Sequence, residues 1–295
     1  MIERIDDGLW RARGAEAGPS IGISFGVHGN ERPPIEAGLE LVQAFERDQL
    51  GLARGSVLFV HANLLASQQD QRWSEGGIDL NRCFHVDQLA QEPELWEHGR
   101  AKEIAAAIEE AELSALVDFH CVVEPGERFL MQHPPAAHEA SREAWRWLEA
   151  DTLLCDPDLV FGAVSLDEYM STRGRAGICY ETGWIGDPGL TAEAVRREME
   201  NVLAGYGLLE GRSGVDHGEK RLLELAGRLV CEADGFVWTD GLGNNLQDVP
   251  AGSVLGRYGN GRELVLEQDS TLIFPKKKKE LLQEGKPLVL LAKRA

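Results

Sequence analysis

Through about residue 212, apolar positions alternate between two kinds of pattern. Ile21-Gly-Ile-Ser-Phe25, Val57-Leu-Phe-Val-His61, Leu113-Ser-Ala-Leu-Val-Asp-Phe-His120 and Ala176-Gly-Ile-Cys-Tyr180 are short, nearly continuous apolar runs that read as buried strands. Between them apolar residues recur at helical spacing. Ile35, Leu39, Val42 and Phe45 follow Pro33-Pro34, and Leu95 to Leu113 is alanine-rich and amphipathic. Arg142 to Leu148 and Thr191 to Leu208 also read as helices, the second with Thr191 as N-cap and Gly207 near its end. Strands alternating with helices predict an α/β fold with a mostly parallel sheet covered on both faces. The polar stretch 62–94 shows little periodicity and is expected to be a functional loop.

Beyond residue 212 the pattern changes. Short β-like runs alternate with turn signals at Asp234-Gly235, Asp240-Gly-Leu-Gly-Asn-Asn245, Pro250-Ala-Gly252, Gly259-Asn-Gly261 and Glu284-Gly285. The expected division is therefore a larger α/β domain at 1–212 and a smaller β-rich domain at 213–295. Val230-x-x-Ala-Asp-Gly-Phe236, Val249-Pro-Ala-Gly252 and Gly285-Lys-Pro-Leu288 resemble the half-barrels of biotinyl and lipoyl domains. The lysine that those domains modify is missing from the Gly-Leu-Gly-Asn-Asn turn, which implies a structural relative and not a carrier.

A chain of 295 residues, 43% hydrophobic and 27% charged, has the make-up of an ordinary globular protein. No run approaches the roughly 18 apolar residues of a membrane span. The opening Met1-Ile-Glu-Arg-Ile-Asp-Asp-Gly-Leu-Trp10 lacks a signal-peptide pattern, so the cytoplasm is the expected location. The five cysteines are scattered and never in Cys-x-x-Cys, which disfavours a disulfide framework or a cysteine zinc site. A net charge of −19 excludes nucleic acid as a natural partner. Lys276-Lys-Lys-Lys279, after Phe274-Pro275, is expected to be a solvated turn. The acid surplus also means that an anionic substrate needs cations gathered locally.

Chemistry concentrates where strands end. His28-Gly-Asn-Glu31 follows the first apolar run on a turn of small residues, and His120 closes the third. Sites in open α/β sheets form just outside the carboxyl ends of strands. An isolated His-x-x-Glu is weak evidence, but two histidines sharing this context are not. His28, Glu31 and His120 together make a two-histidine, one-carboxylate zinc set that leaves a coordination position for water. Cys121, next to His120, is read as structural. In the loop, Asn81-Arg82 sets an amide beside a guanidinium suited to a substrate carboxylate, and Arg72 has the reach to face an oxyanion. The competing reading makes these arginines ordinary surface salt-bridge partners.

His28-Gly-Asn-Glu31, Asn63-x-x-Ala66, Arg72, Asp79-Leu-Asn-Arg-x-Phe84, Asp118-Phe-His120 and Tyr180-Glu-Thr-Gly183 resemble, in order, the succinylglutamate desuccinylase/aspartoacylase family, of the zinc carboxypeptidase-like fold group. The matches span about residues 21–185, and a β-rich C-terminal domain is typical of that family. The resemblance implies one Zn²⁺ per chain on His28, Glu31 and His120, with Asp79 behind His28. It implies Glu181 as the catalytic proton acceptor, Arg72 at the oxyanion, and Asn81 and Arg82 on the amino-acid carboxylate. Tyr169-Met-Ser-Thr-Arg173 resembles the segment whose Tyr169 and Arg173 equivalents meet a second substrate carboxylate.

Two departures bear on the substrate: the spacing from Arg72 to Asn81 is longer than expected, and Cys121-Val-Val-Glu-Pro-Gly126 replaces a polar loop. The implied activity is hydrolysis of a small-molecule N-acyl amino acid by a chain that needs no nucleic acid or membrane and is compatible with homo-oligomerisation. A zinc carboxypeptidase and a non-catalytic binding protein on the same scaffold are the alternatives.

Overall fold

A computed structural model describes residues 2–133, 138–158 and 162–295. Its frame is a mixed sheet of twelve strands. In chain order these begin with β1 (Ile2–Asp6), β2 (Leu9–Arg13), β3 (Glu16–Phe25), β4 (Arg54–His61), β5 (Ala115–Val122), β6 (Phe129–Gln132), β7 (Thr152–Cys155) and β8 (Ala176–Trp184). The helices between them are α1 (Arg32–Glu46), α2 (Leu64–Gln69), α3 (Val86–Ala90), α4 (Trp96–Glu110), α5 (His138–Trp145), α6 (Leu166–Ser171) and α7 (Ala192–Gly205). β4, β3, β5 and β8 run parallel side by side, and β6 returns antiparallel on β8.

These four strands read as unbroken apolar runs because both of their faces are buried. Along β4, Val57 and Phe59 pack with α1 and α7 in one core, and Leu58 and Val60 pack with α4 in another. The expected helices are present. α1 takes Pro33 in its first turn, where a missing N–H costs nothing, and Thr191 caps α7 by accepting from Ala194 N at 3.2 Å.

The stretch 62–94 departs from expectation, because it contains α2, α3 and a short 3-10 turn at Leu80–Arg82. Their shortness explains why no period shows in the sequence. Asn63 caps α2 by accepting from Ala66 N at 3.0 Å, so the Asn-x-x-Ala spacing is a helix cap.

The strand-rich region follows with β9 (Arg221–Val230), β10 (Val237–Trp238), β11 (Gln247–Val249), β12 (Val254–Arg257), β13 (Glu263–Val265), β14 (Ser270–Ile273) and β15 (Pro287–Arg294). β9 lies parallel on β7, so β9, β15, β14 and β11 extend the main sheet. Phe129, Met131, Leu154, Leu223, Ile273 and Leu290 share one core across that seam. β10, β12 and β13 form a separate three-stranded sheet. Among the described residues, no helix is long and apolar enough to cross a membrane.

Candidate metal centre

The site gathers at the carboxyl ends of β3, β5 and β8. The chain leaves β3 through Gly26 at positive φ and turns back at His28. Gly29 touches α2 so closely that a Cβ there would stand 2.0 Å from the Ala66 carbonyl carbon. That contact fixes the turn and aims His28 inward. Glu31 holds the N-cap position of α1 yet makes no capping bond, because its carboxylate is used elsewhere.

One Glu31 oxygen lies 2.7 Å from His28 Nδ1, and the other lies 3.1 Å from His120 Nδ1. The second oxygen also accepts from Cys121 N at 3.1 Å. All three side chains are buried, and their donor atoms lie within 4.8 Å of one another. Burial works to raise the Glu31 carboxyl, but His28 and His120 outweigh it and hold the group well below the usual carboxylate range.

The far nitrogens complete the pattern. His28 Nε2 lies 3.2 Å from Asp79 Oδ1, and His120 Nε2 lies 2.8 Å from Asp118 Oδ2. Each imidazole thus has one nitrogen on a carboxylate partner and turns Nδ1 toward the shared centre, the usual orientation of metal-binding histidines. Burial alone would lower the His120 pKa, but Asp118 and Glu31 raise it well above the ordinary value. A bound cation would displace those protons. The role of Asp118 escaped the sequence reading. The signal was its position two residues before His120, on the same face of β5.

Asp79 is fixed by Asn81 N at 3.0 Å and by Arg72 Nη2 at 3.1 Å. Arg72 therefore reaches the site through Asp79. Asn81 Oδ1 accepts from Leu166 N at 3.2 Å, and Arg82, beside it, is exposed. Glu181 stands opposite His120 across the β5–β8 ladder. It is buried, and its Oε2 has no hydrogen-bond partner. Burial pushes its carboxyl up to about 7, with His120 opposing and Glu31 reinforcing that rise. Cys121 is not one of the three converging donors, and its sulfur faces Thr182 Oγ1 at 3.5 Å.

Two expectations change here. The lysine run is not simply a solvated turn. Lys276 is half-buried, and its pKa is lowered by burial and by Arg72 and Arg82, while Glu124 and Glu181 oppose. The strand-rich region thus contributes a half-buried cation whose charge is felt by Glu181, Arg72 and Arg82. The same region docks beside the site where Asn245 N donates to Pro125 O at 3.0 Å. The acid surplus of the chain was the clue that this lysine run could be more than solvent-facing charge.

Tyr169 and Arg173 are not brought to the metal centre. The Tyr169 hydroxyl donates to Glu109 at 2.8 Å, and Arg173 lies over the Tyr169 ring at 3.7 Å. Glu109 is in the last turn of α4, before β5 begins, so this group sits at the opposite end of the strands.

The model of the succinylglutamate desuccinylase/aspartoacylase catalytic domain matches residues 17–197, and the chain belongs to that family. A succinylglutamate desuccinylase of Chromobacterium violaceum is 33% identical over 144 residues, which cover 45% of this chain and 41% of that protein. The match therefore spans well under half of that relative. Among solved structures, the C. violaceum succinylglutamate desuccinylase superposes with a TM-score of 0.74 at 21% identity, covering 99% of this chain and 89% of that one. The product-bound ectoine utilization protein of Ruegeria pomeroyi gives 0.75 at 20% identity, covering 96% and 88%. Both likenesses speak to the fold.

Proposed function

We propose that the protein is a zinc-dependent hydrolase that cleaves the amide bond of an N-acyl amino acid, releasing a carboxylic acid and a free amine. The observation carrying this reading is the triad itself: His28, Glu31 and His120 converge, each imidazole is held by its own aspartate, and Glu181 stands beside them. Family membership and the desuccinylase match support the substrate class.

His28, Glu31 and His120 would hold one catalytic zinc ion, which when bound supplies Lewis acidity and lowers the pKa of water. Glu181 accepts the proton of the attacking water and returns it to the departing nitrogen. In the metal-free chain burial lifts this carboxyl to about 7, so a neighbouring cation has room to lower it and still leave a group that exchanges protons. Arg72, held against Asp79, faces the oxyanion as the carbonyl becomes tetrahedral. Arg82 and Lys276 supply the local positive charge that a substrate carboxylate needs on so acidic a chain, and Asn81 orients it.

A carboxypeptidase needs an open groove for a peptide. The Asn245–Pro125 contact, which brings the strand-rich region over the loop that follows β5, favours a small substrate instead. The test is release of free amine by the zinc-loaded chain across acetyl- and succinyl-amino acids. Turnover of these, with none on peptides, is expected. Peptide C-terminal cleavage without N-acyl amino acid turnover would transfer the chain to the carboxypeptidase class.

A further inference from the structure

A second buried cluster lies away from the catalytic triad. His133 follows directly on β6, Asp156 directly on β7, and Asp167 and Glu168 lie in the first turn of α6. All four residues are at most 3% exposed. His133 Nε2 lies 2.8 Å from Asp167 Oδ2. Its other nitrogen, Nδ1, faces Asp156 Oδ2 at 3.7 Å and Glu168 Oε1 at 3.6 Å.

Those last two distances are too long for hydrogen bonds. Both His133 Nδ1 and Glu168 Oε1 are buried without a hydrogen-bond partner. Orphaned polar atoms in a core are costly and call for an explanation. Two donors bonded at about 2.0–2.2 Å to one ion, at a tetrahedral angle, stand about 3.4 Å apart. The observed spacing is close to that. The donor atoms of His133, Asp156 and Glu168 all lie within 4.8 Å of one another.

The surroundings are also those of a ligand set. Asp167 Oδ2 stands 2.8 Å from the far nitrogen of His133, and it too is buried without a hydrogen-bond partner. The second Glu168 oxygen accepts from Ser165 N at 2.9 Å and Val164 N at 2.7 Å, which fixes the carboxylate and leaves Oε1 directed at the cluster. Asp167 and Glu168 both lie beside this imidazole in the interior, where buried charge is expensive.

We infer that His133, Asp156 and Glu168 form a second, non-catalytic site for a divalent first-row cation such as Zn²⁺, with Asp167 beside the far nitrogen of His133. It clamps the ends of β6 and β7 to the start of α6. One imidazole and two carboxylates suit zinc or manganese better than calcium, which prefers oxygen ligands alone. The site uses none of the residues of the proposed catalytic centre, so either can fail without the other.

The test is to strip the full chain with chelator, titrate it with Zn²⁺ alone, and count bound ions by emission spectrometry after desalting. Wild type should hold two ions per chain, and the His28→Ala/His120→Ala double variant one. Adding Glu168→Gln to that variant should leave none, while its amide oxygen still accepts from Ser165 N and circular dichroism reports on the fold. Wild type holding a single ion, lost entirely in the double variant, overturns the second site. So does an ion that survives Glu168→Gln. A single ion that survives the double variant overturns the catalytic triad instead. The wild-type count needs no substitution, so a misfolded variant cannot hide the answer.

Discussion

The two ends of the parallel strands each gather polar side chains around a glutamate, with opposite fates. At the carboxyl end, His28 and His120 meet Glu31, with Glu181 opposite His120, and all four side chains are buried. At the amino end, Tyr169, Arg173 and Arg175 meet Glu109, whose side chain is 42% exposed. Both groups had a place in the motif reading. Strand polarity separates them, because the chain comes off the carboxyl ends into turns that face a shared crevice. At the amino end it comes off helix ends that solvent can reach. A chemically apt side chain is therefore informative only once its end of the sheet is known.

The sharpest way to break this contrast is to remove its centre. His120→Ala should leave the fold intact and strip the proposed catalytic ion, abolishing turnover. Emission spectrometry on a background lacking the His133 cluster measures this directly. Glu181→Gln should keep the ion and lower kcat by about 10²–10⁴-fold. Near-normal kcat in that variant would give the proton transfer to another group.

Next come the supporting charges. Arg72→Ala should lower kcat by about 10²–10³-fold, since its contact strengthens only as the oxyanion forms. Arg82→Ala should mainly raise KM, because a carboxylate contact is made equally in ground and transition states. Steady-state kinetics of the pair decides the roles, and the reverse pattern would exchange them. Asp118→Asn and Asp79→Asn should each weaken metal affinity about 10–100-fold. Unchanged affinity in both would detach the aspartates from the imidazoles they face.

Much of this centre was legible beforehand, and the limits of legibility are physical. The α/β frame could be read because buried strands and amphipathic helices write different periods into the chain. His28, Glu31 and His120 could be read because each histidine follows an apolar run near the carboxyl end of its strand. The aspartate behind His120 lay in plain view as Asp118, but its partnership depends on an imidazole rotamer that no spacing encodes. The His133 cluster was invisible, since β6, β7 and α6 are too short to announce themselves and only packing joins them. Lys276 comes into place through the pairing of β9 on β7, a contact with no local signature.

The metal-free chain also has a pH signature. Glu181 titrates at about 7 when folded, against an ordinary value of 4.5, and burial is the largest cause. The folded state therefore binds more protons than the unfolded state between those values. Stability from this group falls as pH rises through that window. Glutamine carries no charge and escapes the loss. Without metal, Glu181→Gln should be the more stable chain above pH 7, by on the order of 2–3 kcal/mol, with the gap closing toward pH 4.5. Urea unfolding at pH 5 and 8 measures it. A gap independent of pH would mean that the carboxyl is not held neutral by its surroundings.

The smallest effects belong to the amino end. Tyr169 is buried against Phe84, with ring centres 6.3 Å apart, while its hydroxyl bonds to Glu109. Tyr169→Phe keeps the ring and removes a hydrogen bond to a partly exposed carboxylate, a loss of about 0.5–1.5 kcal/mol. Arg173→Ala removes a cation over the ring and a contact of 3.5 Å to Glu109. Exposed pairs of this kind contribute about 0–1 kcal/mol. Neither substitution touches a group at the carboxyl end, so KM and kcat for the N-acyl amino acid should stay within about twofold. Kinetics and urea unfolding on both variants decide between packing and recognition. A tenfold rise in KM with unchanged stability would bring Tyr169 and Arg173 back to the substrate. It would also require α6 to shift toward the metal centre when substrate binds.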